Sequence, residues 1–422
     1  MAQDHRASGE VTLRIVDVQP VRRVRITNMN RQVIVLIASR GVAAVLQSIS
    51  FMLLSRVVDV RTFGAIGVLT ALAGFALLVT DLGITATLSR ARARADQGMV
   101  AGALRLNDVV TVVTAVTFAV IAGFTASPHL ALGLLALSLT LERNTETHLS
   151  VFFADGSRAV PAASILGRRL LMLGAFGGLL LVRLDGAIAF ALAQLVGVIF
   201  SQLLQRLTVM RVRGDVRAIG LRGVLAGSWR FWASSVLNQV RILDSAVVGA
   251  FASVASAGLY SAAQKLVNPM LLLPASLSQV ILPAVAKSGS DAVRITRNVC
   301  LLLLSSYVVL IPVCFFASDL LRLLFGSPYA EAAPILVWAL IGFPMLALSG
   351  PLAAILQGRH DEGFVAANGA AFAAVALVGM VLGAIWEGPV GVAAAMTICY
   401  TLRAPVLVLR IVRKHGGAGA GQ

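Results

Sequence analysis

Charged side chains are scarce in this sequence. Asp, Glu, Lys and Arg together make up 13% of its 422 residues, against about 25% in soluble domains. A soluble chain of this length would split into two or three domains with polar surfaces, and the polar residues here are too few to cover them. Long polar loops are missing as well. No segment between apolar runs exceeds roughly 25 residues, too little for a soluble catalytic domain. Cysteine is limited to Cys300, Cys314 and Cys399, all in apolar stretches and without CxxC spacing. Neither a disulfide framework nor a zinc site is expected. The histidines His5, His129, His148, His360 and His415 are scattered without ligand spacing. No P-loop, HExxH or GxSxG motif is present. The expectation is therefore no catalytic group, no metal and no cofactor. Acidic residues are in deficit, 19 against 35 basic ones, giving a formal charge of +16. Such a balance often indicates nucleic acid. Here it sits in short runs between apolar stretches, which excludes that partner and follows the positive-inside pattern.

What is abundant is apolar sequence, 58% of the chain. A membrane-spanning helix needs about 20 mostly apolar residues. Spans are predicted at 33–54, 63–87, 104–125, 129–153, 161–182 and 186–205, then at 226–252, 258–283, 298–318, 333–356, 364–384 and 389–411. The fold class expected is an all-α integral membrane protein of about twelve transmembrane helices, since runs this long cannot be strands with open edges in lipid. A polar tail, 1–32, precedes the first span and carries no apolar core of signal-peptide type. Residues 33–205 form a first six-helix lobe, and the basic linker 206–225 is the joint. A second six-helix lobe, 226–412, is followed by a tail, 413–422. With both termini on one side, the segments on that side carry about 26 Lys and Arg, with about 3 of them after the fourth span. The other side carries about 4, namely Arg56, Arg61, Arg183 and Arg322. Both termini are thereby predicted to be cytoplasmic, in the inner membrane.

Charges within spans carry the functional information, because each costs about 2.5–3.5 kcal/mol at the bilayer centre and so faces a cavity or a partner. Five basic ones stand out: Arg40, Arg143, Arg230, Arg241 and Lys265. The acidic ones are Glu142, Glu146 and Asp244, with Asp81 near the end of the second span. Arg230 and Arg241 are spaced to share a helical face, near Ser234, Asn238 and Ser245. Arg40 and Gln47 share another, and Lys265 has Gln264 and Asn268 beside it. Each residue also has a plainer reading: Arg143 neutralises Glu146 at i, i+3, Asp244 balances Arg241, and Arg40, Arg230 and Lys265 reach toward an interface. The agreement of five cations in spans predicts one water-filled cationic cavity. Arg40, Gln47, Arg143, Arg230, Asn238, Arg241 and Lys265 would bind substrate there. Asp81, Glu142, Glu146 and Asp244 would couple an ion or pair with those charges. Pro269, Pro274 and Pro283 interrupt the eighth span, and Pro344 and Pro351 the tenth, which permits kinks.

Two stretches carry a family resemblance. The run Leu53-Leu54-Ser55-Arg56, then Phe63-Gly64-Ala65-Ile66-Gly67, then Asp81-Leu82-Gly83-Ile84, resembles the start of polysaccharide biosynthesis flippases. So do Asp244, Ala257 through Lys265 (AGLYSAAQK) and Leu282-Pro283. These flippases belong to the multidrug/oligosaccharidyl-lipid/polysaccharide exporter superfamily. The resemblance implies two six-helix lobes in a V-shaped transporter with a central cavity. It implies movement of a polyprenyl-pyrophosphate-linked oligosaccharide between leaflets, by alternating access, with membrane lipid and a glycan polymerase or other assembly proteins as partners. Asp81, Gly83, Asp244, Gly258 and Tyr260 are its motif positions. A cation-coupled drug antiporter is the alternative within transport. An integral membrane polymerase or ligase is the alternative outside it, and would be expected to carry a large outer loop.

Overall fold

The computed structural model describes residues 26–415, except 124–127, 156, 158, 210–218, 221–222, 226–227, 229–231, 233–235, 237–238 and 288–291. The described residues are mostly helical, with no strand among them. In chain order the helices are α1 (Ile26–Val57), α2 (Val60–Thr80), α3 (Ile84–Ala93), α4 (Gln97–Gly123), α5 (His129–Ala154), α6 (Ala159–Leu181) and α7 (Gly186–Val209). After a 3₁₀ turn at Val240–Leu243 come α8 (Asp244–Phe251), α9 (Val254–Val267), a 3₁₀ turn at Asn268–Leu271, and α10 (Leu272–Lys287). Then follow α11 (Ala292–Leu304), α12 (Tyr307–Phe315), α13 (Ala317–Phe325), a 3₁₀ segment at Ser327–Ala332, α14 (Ala333–Gly358) and α15 (Glu362–His415).

Among the described residues nine helical segments are long and apolar enough to cross a membrane. Two details reconcile this with twelve predicted spans. The segment Glu362–Lys414 has 53 residues, about 80 Å of helix at 1.5 Å per residue, far more than a bilayer of about 30 Å. It reverses at Glu387 (φ −130°, ψ 16°) and Gly388 (φ 60°, ψ −135°), a conformation only glycine adopts readily. Gly383 and Gly391 then lie so close across the turn that a Cβ on either would collide with the other's backbone. The second detail is α5, whose Glu142, Arg143 and Glu146 break the apolar pattern although its length suffices. Its polar face is buried instead, with Asn144, Thr145, Thr147 and His148 all inside the bundle. The first half of the seventh predicted span, 226–238, falls largely outside the described residues, and its second half holds the 3₁₀ turn at Val240–Leu243 and α8.

Some predicted boundaries move. The span at 63–87 ends at Thr80, because Leu82 (φ 49°) and Gly83 (φ 72°) turn the chain before α3. The ninth begins at Ala292 rather than 298, with its two helices meeting at Ser305–Ser306. The stretch between the predicted spans 298–318 and 333–356 forms α13 and a 3₁₀ segment. Ala317, Leu321 and Phe325 of α13 face inward while Leu323 is exposed. In lipid every backbone group needs an internal partner, and helix is the local solution.

Turn residues serve as caps. The Asp59 carboxylate accepts from the Arg61 and Thr62 amides (3.1 and 3.3 Å) at the start of α2. The Asp185 carboxylate accepts from the Ala187 and Ile188 amides (3.0 Å each) ahead of α7. Each satisfies orphan donors of a first helical turn. Val109, Val112, Val113, Val116 and Val120 of α4 are all exposed, the face expected to meet lipid.

Helices of the two halves of the sequence meet at the end that carries Arg56 and Arg61. Helices α2 and α9 approach so closely that a Cβ at Gly64 would collide with the Val254 carbonyl, and one at Gly258 with the Val60 carbonyl. Beside this crossing, Phe63 packs edge-on against Phe51 (6.3 Å between centroids), Phe325 (6.3 Å) and Tyr329 (5.5 Å). Such pairs contribute about 0.5–1.5 kcal/mol each beyond their buried area. The last turn of α13 is capped from α1: Ser55 Oγ donates to the Phe325 carbonyl (3.1 Å), and the Arg56 guanidinium donates to the carbonyls of Leu323 and Leu324.

Candidate functional site

The in-span charges assemble into two groups, where the sequence suggested one. The first lies among α5, α6 and α7. Glu142 accepts from Arg169 Nη2 at 2.5 Å and lies 3.4 Å from Arg168 Nη2, which also pairs with Glu146. Arg169 Nη1 donates to Gln194 Oε1 at 3.2 Å. Arg168 and Arg169 are both buried, 6% exposed each, which is where an unpaired charge would be most costly. Sequence reasoning missed both arginines by counting them with the basic segment after the fourth span. A signal existed: Arg168-Arg169 interrupts an apolar run, and the neighbouring helix offers two glutamates one turn apart.

Arg143 makes a different contact from the one expected. Its Nη2 lies 2.7 Å from Asp81 Oδ1, so it does not neutralise Glu146, which Arg168 has taken. Asp81 also accepts from Thr85 Oγ1 at 2.7 Å, tying the break after α2 to α3 and α5. Asn144 Nδ2 donates to Asp108 (3.1 Å) and Thr111 (3.0 Å), which joins α4 to the same group. The candidate coupling residues Asp81, Glu142 and Glu146 thus each meet an arginine.

The second group lies where α2, α8 and α9 face one another. Arg241, in the 3₁₀ turn before α8, lines three adjoining cavities. The largest, about 160 Å³, is walled by Thr70 of α2, Asp244 and Ser245 of α8, and Gln264, Lys265 and Asn268 of the α9 end. A second faces Gly342 of α14 and Thr397 and Tyr400 of α15. The third reaches Arg403, which falls inside the predicted span 389–411 but was not among the five in-span cations singled out from the sequence. The 3₁₀ turns on either side of the cavity interrupt the helices there, the arrangement that lets irregular backbone line a cavity at membrane depth.

Partners within this group are mostly neutral. Both Nη atoms of Arg241 sit 3.4 Å from Asn268 Oδ1. Asp244 accepts from the Ser245 amide (2.6 Å) and the Tyr260 hydroxyl (3.2 Å), and Gln264 Nε2 donates to that hydroxyl at 3.0 Å. Lys265 Nζ lies 3.7 Å from the centroid of the Phe51 ring. Arg403 Nε donates to Asn368 Oδ1 at 3.3 Å. Three cations and one carboxylate therefore border these cavities, which share Arg241, a net positive site.

Of the substrate-binding candidates, Arg241 and Lys265 meet there. Arg40 does not line this space; its guanidinium lies over the Phe153 ring, 5.4 Å from the centroid. Gln47, on the same helix, is half-buried and also lies off these walls. Arg143 belongs to the first group. Arg230 and Asn238 lie outside the described residues. The described members of the polar stripes lie in these two clusters or, for Arg40 and Gln47, off the cavity walls. Helical phase identifies a face but not the neighbour that face meets.

Comparison with known proteins fits this geometry. The family model for polysaccharide biosynthesis proteins matches residues 53–334. A multidrug resistance MATE family transporter of the MOP superfamily, in an inward-facing conformation, superposes with a TM-score of 0.71 at 14% identity. It covers 92% of this chain and 100% of the other. Lipid II flippase MurJ, in an inward closed conformation, gives 0.70 at 11% identity over 90% of this chain and 88% of its own. A MOP superfamily transporter from Pyrococcus furiosus gives 0.66 at 14% identity over 92% and 96%. No curated protein matches by sequence. At these identities the likeness establishes the fold, that of an all-α membrane transporter.

Proposed function

We propose, from the premise that this chain belongs to the polysaccharide biosynthesis protein family, that it carries a polyprenyl-pyrophosphate-linked oligosaccharide from the inner to the outer leaflet. The head group would occupy the space around Arg241 while the lipid tail stays in the bilayer. Both termini would face the cytoplasm, and the halves 33–205 and 226–412 would rock about the linker 206–225.

The observation that carries this reading is the cation set of the cavity. Arg241 is held by an amide oxygen, Arg403 by another, and Lys265 by an aromatic face. None of these contacts cancels a full charge. A planar guanidinium fork suits phosphate and carboxylate oxygens, and the low dielectric of a bundle interior strengthens each contact. The glutamates among α5, α6 and α7 already hold arginines, so that group serves this reading as a scaffold. A cation-coupled antiporter draws support from one feature, Asp244 on the cavity wall.

The test is reconstitution into liposomes with a polyprenyl-pyrophosphate glycan loaded in one leaflet. Protein-dependent arrival of the glycan in the other leaflet, scored by lectin binding, is expected. Failure to move it, combined with export of a cationic dye against a proton or sodium gradient, would replace this reading by the antiporter.

A further inference from the structure

An unbroken line of side-chain contacts runs from the cationic cavity to the end of the bundle that carries Arg56. It begins at Lys265, whose ammonium rests on the face of Phe51. Phe51 of α1 packs on Phe63 of α2, and Phe63 on Phe325 and Tyr329. Four residues beyond Phe51 in α1, Ser55 and then Arg56 hold the last carbonyls of α13. Ser48 Oγ, one turn before Phe51, donates to the Lys265 carbonyl at 3.3 Å. Thus the C-terminal part of α1 is fastened to α9 around Ser48 and Phe51 and, one turn later, to α13 through Ser55 and Arg56, and Phe51 takes part in the first of these attachments.

Resting on the reading above, we propose that Lys265 is a positioning residue that couples occupancy of the cavity to release of the α1–α13 clasp. In the unliganded protein the ammonium is satisfied by the Phe51 ring. A pyrophosphate in the cavity is a better partner, because a charge-assisted bond exceeds a cation–π contact. When the ammonium turns to the phosphate, Phe51 loses its hold on α9. The chain of aromatic contacts that keeps Ser55 and Arg56 against α13 is then free to shift. Arg241 differs in this respect, because its neutral acceptor is on α9's own end and links no second half of the molecule.

A cation–π contact of this kind corresponds to about a 2- to 30-fold factor in an equilibrium. The proposal predicts that Phe51→Leu, which removes the ring face but keeps an apolar side chain, tightens binding of undecaprenyl pyrophosphate by about that factor. The purified full chain in nanodiscs is the sample. A merely structural Phe51 would weaken binding or leave it unchanged. Spin labels at Val57 and Leu323, both exposed, report the clasp in a chain whose three native cysteines are replaced by alanine. In the parent chain the ligand should lengthen the label distance. In Phe51→Leu that response should be lost although binding is tighter. Lys265→Met should lose the response and weaken binding, whereas Lys265→Arg, which keeps a cation over the ring, should retain both. Unchanged affinity in Phe51→Leu, or a normal distance response in Lys265→Met, would overturn the coupling role and leave the flippase reading intact. Absence of undecaprenyl pyrophosphate binding in the parent chain would remove both. If Phe51→Leu does not fold, the Lys265→Met and Lys265→Arg pair decides the question alone.

Discussion

Arginines within the predicted spans do two kinds of work, and substitution separates them. Arg169 is a structural partner: its contacts are Glu142 at 2.5 Å and Gln194 at 3.2 Å. Arg169→Ala leaves Glu142 with Arg168, at 3.4 Å, as its remaining cation and with the Gln194 amide at 3.5 Å. Breaking a buried pair costs about 3–5 kcal/mol, and the remaining Arg168 should hold the loss near the lower figure. Replacing Arg169 and Glu142 together by Met should restore much of it, since a well-packed apolar pair can substitute for a buried ion pair. Melting of the purified protein, followed by tryptophan fluorescence, checks this; a single variant as stable as the parent would refute it. Arg241 is expected to behave otherwise. Arg241→Lys should retain part of the transport, because charge remains while the fork is lost. Arg241→Ala should lose about tenfold or more, given about 1.5–3 kcal/mol for a charge-assisted bond. Asp244 is hydrogen-bonded by Ser245 and Tyr260 and has Arg241 as a neighbouring cation, so Arg241→Ala also removes its countercharge. The double change Arg241→Ala with Asp244→Ala should therefore recover protein level but not transport. Surface polysaccharide in a strain lacking the native gene, scored against protein in the membrane, is the measurement. Full recovery of transport would make Arg241 structural.

At the scale of elements, long helices need closing contacts where they start and stop. Asp361 sits in the turn between α14 and α15. Its carboxylate accepts from Arg410 Nε at 2.8 Å and lies 2.9 Å from Lys414 Nζ, both in the last turns of α15. It therefore clamps the start of α15 to its end, after the chain has reversed at Gly388. The hydrogen bonds from Arg410 and Lys414 lower its pKa from 3.8 to about 2. A carboxylate with a lowered pKa in the folded state contributes stability that is fully present above its unfolded value. That stability is lost as pH falls toward the folded one. The window is thus about pH 4 down to about pH 2. Asp361→Asn should melt lower at pH 7, and its melting temperature should fall less than the parent's across that window. Parallel curves for the two proteins would show that the clamp contributes nothing. The reversal at Gly388 was legible from the sequence, since the spans 364–384 and 389–411 leave only a short turn. The clamp was not, because Asp361 and Arg410 are 49 residues apart.

For the whole molecule, the distribution of charge bears on orientation. Of the about 26 cations assigned to one side, Arg168, Arg169 and Arg403 prove to line the interior. The remaining about 23 still outnumber about 4 on the other, enough to set orientation. Reporter fusions at Gly416 and within 206–222 should therefore both read as cytoplasmic. A periplasmic or extracellular signal at either site would overturn the twelve-span map.

The sequence alone determined the solvent, the secondary structure and the approximate number of crossings. Those depend on local run length and composition, since lipid tolerates little except helix across its apolar core. The FGAIG and AGLYSAAQK stretches also carried the family, and the glycines in them prove to be where α2 and α9 touch. Tertiary structure decided which charge meets which. Arg143 had an acid one turn away in Glu146 yet pairs with Asp81, 62 residues earlier. The adjacent Arg168 and Arg169 took up the glutamates. An intramembrane ion pair is chosen by which helices lie side by side, and helical phase carries no record of that. The same holds for Lys265 on Phe51, a contact between two segments more than 200 residues apart, which exists only once α1 and α9 have packed.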